Sequence, residues 1–282
     1  SQEQTYADGM AHVHYYRVLE AEGLVRMIGD LEALNAHVAE WEAWERAPAG
    51  EQPPQGFVLS MEGADPIVGP WQAETWWDDG LRVASLVHYG IGPYGHGHNA
   101  EGGLTPAGRD LLREFERLGM ILDVTHLSDQ AFWEALDLFG GRVLASHHNC
   151  RALVPDPRQL TDEQIRELVA RGGVIGVALD DWMLYPGWPI DPVQEGANEW
   201  VSLEDVANHM DHICQLAGDS LHAAIGSDLD GGYGTEETPG DVDSIVDVLK
   251  LPEILGRRGY SEADVENIMY RNWVRCLREA WG

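Results

Sequence analysis

The chain has 282 residues, a net charge of −30 and 44% hydrophobic residues. This length and apolar content allow one large α/β domain or two small ones and argue against disorder. A field of this sign repels nucleic acid and anionic lipid, so we expect neither as a partner. No apolar run reaches the ~20 residues that span a bilayer, and the first residues lack the features of a signal peptide. The resulting expectation is a cytoplasmic protein.

Apolar runs predict six strands, and helical patterns separate most of them. The runs span 57–61, 83–87, 120–124, 143–145, 174–179 and 223–226. Helix starts are predicted at the capping residues Thr105, Ser128, Thr161, Ser202 and Ser261. Strands that alternate with helices favour right-handed crossovers and a parallel sheet. The stretch 6–44 has a mostly helical pattern, and 47–55 is predicted to be a loop rich in proline and glycine.

The three cysteines, Cys150, Cys214 and Cys276, are widely spaced and odd in number. They form neither a metal-binding C-x-x-C pair nor a disulfide framework. We therefore predict buried thiols.

Polar residues follow most of the predicted strands. They are Glu62, His88, His126, His147 and Asp228. Parallel strands end at the same rim of a sheet, so we expect these side chains to converge there. A mixed set of carboxylates and imidazoles suits zinc, and manganese or iron are less favoured. Strand alternation also predicts that the small residues beneath Asp228, including Gly226, leave room around it.

Each of these residues has a structural alternative. His126 could cap a helix or bond a loop carbonyl, and His147 could be a core histidine with satisfied hydrogen bonds. Asp228 could bond within the SDLDGG turn, although Asp230 is the better candidate for that role. Taken together, five ionisable groups at successive strand ends favour a metal, because burying them without one leaves uncompensated charge.

Five segments carry a more specific signal: SMEGAD, LTPAGRDLLREFERLGMILDVTHLSD, LASHHNCRAL, RQLTDEQIRELVARGGVIGV and AAIGSDLDGG. In this order they resemble motifs of the membrane (renal) dipeptidase family of zinc peptidases, within the amidohydrolase superfamily. The resemblance covers roughly residue 56 to the C-terminus. It implies an α/β fold of the (β/α)8 TIM-barrel type, as a single domain over residues 1–282, with the first one or two β/α units absent from this sequence.

The resemblance also implies a metal site. Glu62 corresponds to the carboxylate that bridges two zinc ions, and His126 and His147 correspond to ligands of the second zinc. The family's first strand carries a His-x-Asp pair that binds the first zinc, and no such pair is found in this sequence.

A rival for the missing pair is His12-x-His14, which on a strand would share one face and could bind metal. The window 11–22 has a helical pattern instead. On a helix, side chains two positions apart diverge by ~200°. We therefore expect His12 and His14 to lie on a solvated helix face.

By the same resemblance, His88 steadies the tetrahedral intermediate and contacts the substrate. Asp228 contacts the metal-bound water and the substrate amine, and Arg158 holds the substrate carboxylate. The implied activity is zinc-dependent hydrolysis of dipeptides, including those with a D-residue in the second position, by a hydroxide that bridges the metals. The glycine-rich segment with His96 and His98 could close over such a site or be an ordinary flexible loop.

Two alternatives stay open at this point. One is another amide or lactone hydrolase on the same barrel. The other is a non-catalytic binding protein on a degenerate barrel, which the missing His-x-Asp pair favours. The expected partner is a small dipeptide, and a homodimer is the predicted assembly.

Overall fold

The computed structural model describes residues 1–189, 196–229 and 231–282, so Asp230 lies outside the described residues. The chain divides into two compact units, Ser1–Arg142 with Leu277–Gly282, and Val143–Cys276. The prediction of one barrel domain over residues 1–282 concerns the two units together and stays a prediction.

The first unit is built from short parallel strands and the helices between them. Its elements are α1 (Gln2–Ala21), β1 (Val25–Met27), α2 (Leu31–Arg46), β2 (Gln55–Phe57), β3 (Leu59–Met61), α3 (Ala73–Asp78), β4 (Leu81–Ser85), α4 (Pro106–Leu118), β5 (Ile121–Asp123) and α5 (Asp129–Leu138). β1 pairs with β2, while β3, β4 and β5 pair in that order, all in parallel. The pair β1–β2 is a separate ladder, so the described strands of this unit do not form one continuous sheet.

Local sequence accounts for the helix ends of this unit. Thr105 Oγ1 accepts a hydrogen bond from Gly108 N at 3.0 Å, and α4 begins at the next residue, a proline. The helix stops at Gly119, whose φ of 80° is the left-handed conformation that glycine adopts at low cost. Ser128 caps α5 in the same way as Thr105 caps α4. These predicted boundaries are confirmed.

The stretch 6–44 is mostly helical, as predicted, but the strands of this unit differ from the prediction at two places. β1 lies inside the stretch predicted to be mostly helical; its three residues are all half-buried, so no alternating pattern marks it. The run 57–61 is divided between β2 and β3, and β2 begins at the edge of the predicted loop. Strands of three residues are too short for periodicity to place their ends.

The core of this unit lies around the sheet. All of β5 is buried, and in β4 only Arg82 is not. Burial on both faces is typical of parallel strands covered by helices. α4 contributes Leu111, Leu112 and Phe115, which are almost fully buried.

The second unit repeats the alternation of strands and helices. Its elements are β6 (Val143–Leu144), α6 (Asp162–Ala170), β7 (Ile175–Val177), α7 (Asp181–Leu184), α8 (Leu203–Ala217), β8 (Ala223–Ile225), α9 (Leu251–Arg257), α10 (Glu262–Glu266) and the first part of α11 (Asn272–Trp281). β7 and β8 are parallel, and a parallel bridge joins Ala145, just after β6, to Ile175. Thr161, Ser202 and Ser261 precede α6, α8 and α10, as predicted.

The glycine beneath Asp228 has a different role from the one predicted. A Cβ on Gly226 would lie 2.0 Å from Ser146 O, and one on Gly176 would lie 2.1 Å from the same oxygen. The backbones therefore approach closely at this point, and no open space remains there. Glycine is required because no side chain fits.

No helix within the described residues is long and apolar enough to cross a membrane. Cys150, Cys214 and Cys276 are buried thiols, as predicted. Burial raises the pKa of Cys214 to about 11, so its thiol stays protonated near neutral pH.

Candidate metal centre

Three of the predicted residues meet at one edge of the sheet in the first unit. Glu62 directly follows β3, and His88 and His126 come three residues after β4 and β5. His126 Nε2 lies 2.7 Å from Glu62 Oε1, and His88 Nε2 lies 3.8 Å from the same oxygen. One ligand atom from each residue lies within 4.8 Å of the other two. The convergence follows from the geometry of adjacent parallel strands, whose carboxyl ends share one edge.

Hydrogen bonds hold the segments that present Glu62 and His88. Ser85, the fully buried last residue of β4, accepts a hydrogen bond from Gly63 N at 2.7 Å through its hydroxyl oxygen. The same hydroxyl donates to Val87 O at 3.3 Å. Ser85 thus ties the residue after Glu62 to the residue before His88. The side chains of Glu62 and His88 are about half exposed, so both are accessible to an incoming group.

His126 is held in an unusual backbone conformation. Its φ is 71°, in the left-handed region that non-glycine residues rarely adopt, and its side chain is buried. Such strain is found at functional sites where the surrounding structure enforces it. His98 N donates to His126 O at 2.8 Å, and Ser128 N donates to His96 O at 3.0 Å. The glycine-rich loop therefore holds the backbone at His126 and at Ser128, two residues further on.

His98 also lies beside the metal centre, although it is not among the predicted site residues. Its ring lies 5.2 Å from the ring of His126, and the ring of Tyr89 lies 4.8 Å from His98. His98 is buried. This segment packs against His126, so it is not a free loop, and its closure over the site stays a prediction. The signal that could have found it is the histidine directly after a glycine in HGHN, since glycine permits a close approach of the backbone. A Cβ on Gly97 would lie 2.2 Å from His88 O.

A cleft of about 410 Å³ in the first unit opens beside Glu62 and His88, and His12 of α1 lies in its wall. The helical prediction for 11–22 is confirmed, because these residues lie in α1 and the turn that follows it. His12 and His14 therefore diverge and do not form a pair of ligands. Of these two histidines, His12 borders the cleft and His14 does not.

The second unit brings together the other predicted residues. His147 follows β6, and Asp228 comes three residues after β8. His147 Nε2 lies 3.9 Å from Asp228 Oδ2. Asp228 has a φ of 57°, and it is the second non-glycine residue with positive φ in the described part of the chain. A Cβ on Gly231 would lie 2.5 Å from Asp228 Oδ1, so glycine in the SDLDGG motif leaves space for that carboxylate.

Arg158 is buried, and it forms hydrogen bonds within its own unit. Its Nη2 donates to His147 O at 2.9 Å, and its backbone N–H donates to Asp156 Oδ1 at 2.8 Å. The guanidinium therefore supports the backbone of His147. Its predicted contact with a substrate carboxylate stays a prediction.

Comparison with known proteins decides the family. Residues 23–281 match the model of the family described as membrane dipeptidase, peptidase family M19. The chain belongs to this family. The resemblance seen in the five sequence segments is thus confirmed.

Named relatives of this M19 chain include dipeptidase tcpJ of Claviceps purpurea (strain 20.1), 34% identical over 207 residues, which are 71% of this chain and 45% of that protein. An uncharacterized protein in the pqqA 5' region of Klebsiella pneumoniae is 32% identical over 179 residues, covering 64% of this chain and 62% of that one. The chain spans about half the length of the curated relatives it matches.

Solved structures confirm the predicted fold class, an α/β fold of the TIM-barrel type with parallel strands. The dipeptidase AC, a metallo peptidase of family M19, has a TM-score of 0.83 and 25% identity, covering 100% of this chain and 77% of that one. A metallo peptidase from Rhodobacter sphaeroides was solved with a phosphinate mimic of the dipeptide L-Ala-D-Ala. Its TM-score is 0.78 and its identity 25%, and the match covers 96% of this chain and 73% of that one.

Proposed function

We propose that this M19 chain acts as a metal-dependent dipeptidase on dipeptides, including those with a D-residue in the second position. The observation that carries the proposal is the group of Glu62, His88 and His126 at one edge of a parallel sheet. The relatives support the substrate class, since one is named a dipeptidase and another was solved with a mimic of L-Ala-D-Ala.

Glu62 and His126, with His147 as the second imidazole that the family resemblance implies, fit a transition metal by their chemistry. One carboxylate and two imidazoles are a donor set that zinc binds in catalytic sites, with bonds of about 2.0–2.2 Å. Ligand atoms at that distance from one ion lie roughly 3–4 Å apart, so the half-exposed Glu62 side chain needs only a small rotation to share an ion with His126, and His88 beside them stays free to contact the substrate. We propose zinc, with His147 as the further ligand that the family resemblance implies. A second zinc stays a prediction.

The bound metal supplies Lewis acidity and lowers the pKa of water near it. The chain's own residues supply the rest of the proposed chemistry. His88 donates from Nε2 to the carbonyl oxygen of the substrate as that oxygen gains charge. The Asp228 carboxylate takes a proton from the attacking water and later delivers it to the leaving amine. Arg158 orients the substrate by its carboxylate.

The test combines metal analysis with an assay. We expect protein that has been saturated with zinc and then dialysed to retain at least one ion per chain and to hydrolyse L-Ala-D-Ala. A chelator should abolish hydrolysis, and added zinc should restore it. Retained zinc with no hydrolysis of any dipeptide would favour the non-catalytic binding protein. Hydrolysis of N-acyl amino acids or lactones in preference to dipeptides would favour the other hydrolase.

Replacing Arg158 by alanine tests its proposed grip on the substrate. We expect weaker dipeptide binding by on the order of 1.5–3 kcal/mol, the contribution of a hydrogen bond between charged groups, expressed mainly as a higher KM. A dipeptide amide lacks the carboxylate and serves as the control, because its hydrolysis should change little. Metal content is measured in parallel, since Arg158 also donates to His147 O. Equal losses on both substrates would assign Arg158 a structural role only.

A cytoplasmic location and a homodimer are also part of this proposal. They follow from the sequence-based predictions, and size measurement of the purified protein and localisation of a tagged copy test them.

A further inference from the structure

Asp180 lies beside Asp228 at the ends of two paired strands. β7 and β8 run parallel in register, and Leu179 N donates to Ser227 O at 3.1 Å just beyond them. One residue further along, this pairing brings Asp180 level with Asp228. Neighbouring strands lie about 4.8 Å apart, and the two carboxylates are near enough to repel each other. Asp180 is not among the predicted site residues, although it follows a predicted strand just as they do.

The Asp180 carboxylate is buried and only partly satisfied. The residue is 7% exposed, and its Oδ2 accepts a hydrogen bond from Trp182 Nε1 at 2.7 Å. Its Oδ1 has no hydrogen-bond partner in the part of the chain that the structure describes. Asp181 is fully buried, and neither of its carboxylate oxygens has a partner there. A buried carboxylate without a partner is costly, so it tends to take up a proton, and a cation that pairs with it stabilises the ionised form.

The charged groups that act most strongly on these two carboxylates are themselves carboxylates. The charges of Glu237 and Asp228 repel the Asp180 carboxylate. Those of Asp180, Glu237 and Asp205 repel the Asp181 carboxylate. Burial, and then this repulsion, raise the pKa of Asp180 to about 7 and that of Asp181 to about 8. Near neutral pH these carboxyls therefore hold protons for much of the time, and a cation that pairs with Asp180 favours its ionised form.

The geometry favours an organic cation over a metal ion at this place. Within the described residues, three ligand atoms come within 4.8 Å of one another at Glu62, His88 and His126, and the carboxylates around Asp180 do not form such a group. A divalent ion held by oxygen needs several converging ligands. A single ammonium or guanidinium group needs only one or two acceptors.

We propose, resting on the dipeptidase activity proposed above, that Asp180 binds a basic side chain on the N-terminal residue of the substrate. By the family resemblance Asp228 contacts the substrate amine, and the N-terminal side chain leaves the same Cα as that amine. A group next to Asp228 on the neighbouring strand is therefore in reach of this side chain. Lysine has a flexible four-carbon stem with an ammonium that can donate to Asp180 Oδ1.

The test compares two dipeptides of matched length, L-lysyl-D-alanine and L-norleucyl-D-alanine, which differ in the terminal ammonium. We expect a kcat/KM for the lysyl substrate that is about 10–100-fold higher, the effect of a charge-assisted hydrogen bond. Asp180→Asn should remove this preference and leave the norleucyl substrate within about threefold of its original rate. Asp243→Asn removes the same charge from an exposed position of the same unit and should leave the preference intact.

Several results would overturn the inference. They are a wild-type enzyme with no preference for the lysyl substrate, equal losses on both substrates in Asp180→Asn, and the same loss of preference in Asp243→Asn. The wild-type preference is informative even if Asp180→Asn fails to fold. If the protein hydrolyses neither dipeptide, the proposed function fails, and calorimetry with lysinamide and norleucinamide then tests the inference separately. Equal binding of the two amides would refute it, and tighter binding of lysinamide that Asp180→Asn abolishes would support it.

Discussion

Replacing Asp228 by asparagine is expected to lower the turnover of dipeptides by about 10²–10⁴, the usual contribution of a positioned acid–base group. Asparagine keeps the shape of the side chain and removes the base. It also tolerates the left-handed conformation that Asp228 adopts, with a φ of 57°. Gly231 lies close to Oδ1 but has no side chain to crowd it, so a side chain of this size fits. Folding should therefore be preserved, and the loss should be confined to the chemical step.

The measurement is kcat together with a melting curve and metal content on one preparation. Glu62, His126 and His147 are unchanged in this variant, so the metal content should stay near that of the wild type. A structural Asp228 would behave differently: the melting temperature would fall while turnover stayed almost constant. Unchanged turnover with metal in place would remove Asp228 from the mechanism.

Replacing His126 by asparagine is expected to remove bound metal and, with it, activity. Substitutions that only support a metal ligand cost about 10–100-fold in affinity or activity, so loss of the ligand itself should exceed that range. His126 is buried, and its Nε2 lies 2.7 Å from Glu62 Oε1. No exposed side chain can easily replace it there. Asparagine is chosen because it accepts the left-handed backbone, whereas alanine would add strain at a φ of 71°.

His14→Asn is the matched control, since it exchanges the same residue types on the exposed face of α1. It should leave metal content and kcat unchanged. Elemental analysis after dialysis is the primary readout, and the hydrolysis of L-Ala-D-Ala is the second. Full retention of metal by His126→Asn would contradict the proposed metal centre.

Much of the first unit was predictable from short-range patterns. The run that ends just before Glu62 and the capping residue Thr105 mark a strand end and a helix start that the structure reproduces. Both signals are local, because a cap satisfies backbone groups within one turn and an apolar run reflects burial along one segment. β1 was missed for the same reason, since three half-buried residues contain no period to detect.

The residue types of the site were predictable from the sequence, but their arrangement in space was predictable only in part. Polar residues at successive strand ends pointed to Glu62, His88 and His126, and parallel pairing brings all three together. The buried position of Arg158 against His147 O was not predictable, because a sequence pattern does not show which carbonyl a guanidinium will reach. The role of His98 was missed because its contact with His126 joins segments about thirty residues apart.

The sequence by itself determined the family, the order of most strands and helices after residue 57 and the residue types at the metal centre. These properties depend on local propensity and on motifs of contiguous residues. Only the tertiary structure decided the left-handed backbones of His126 and Asp228, the need for glycine where Gly226 meets Ser146 O, and the position of Asp180 beside Asp228. Strand register and burial create these features, and both arise from contacts between distant segments that no single stretch of sequence contains.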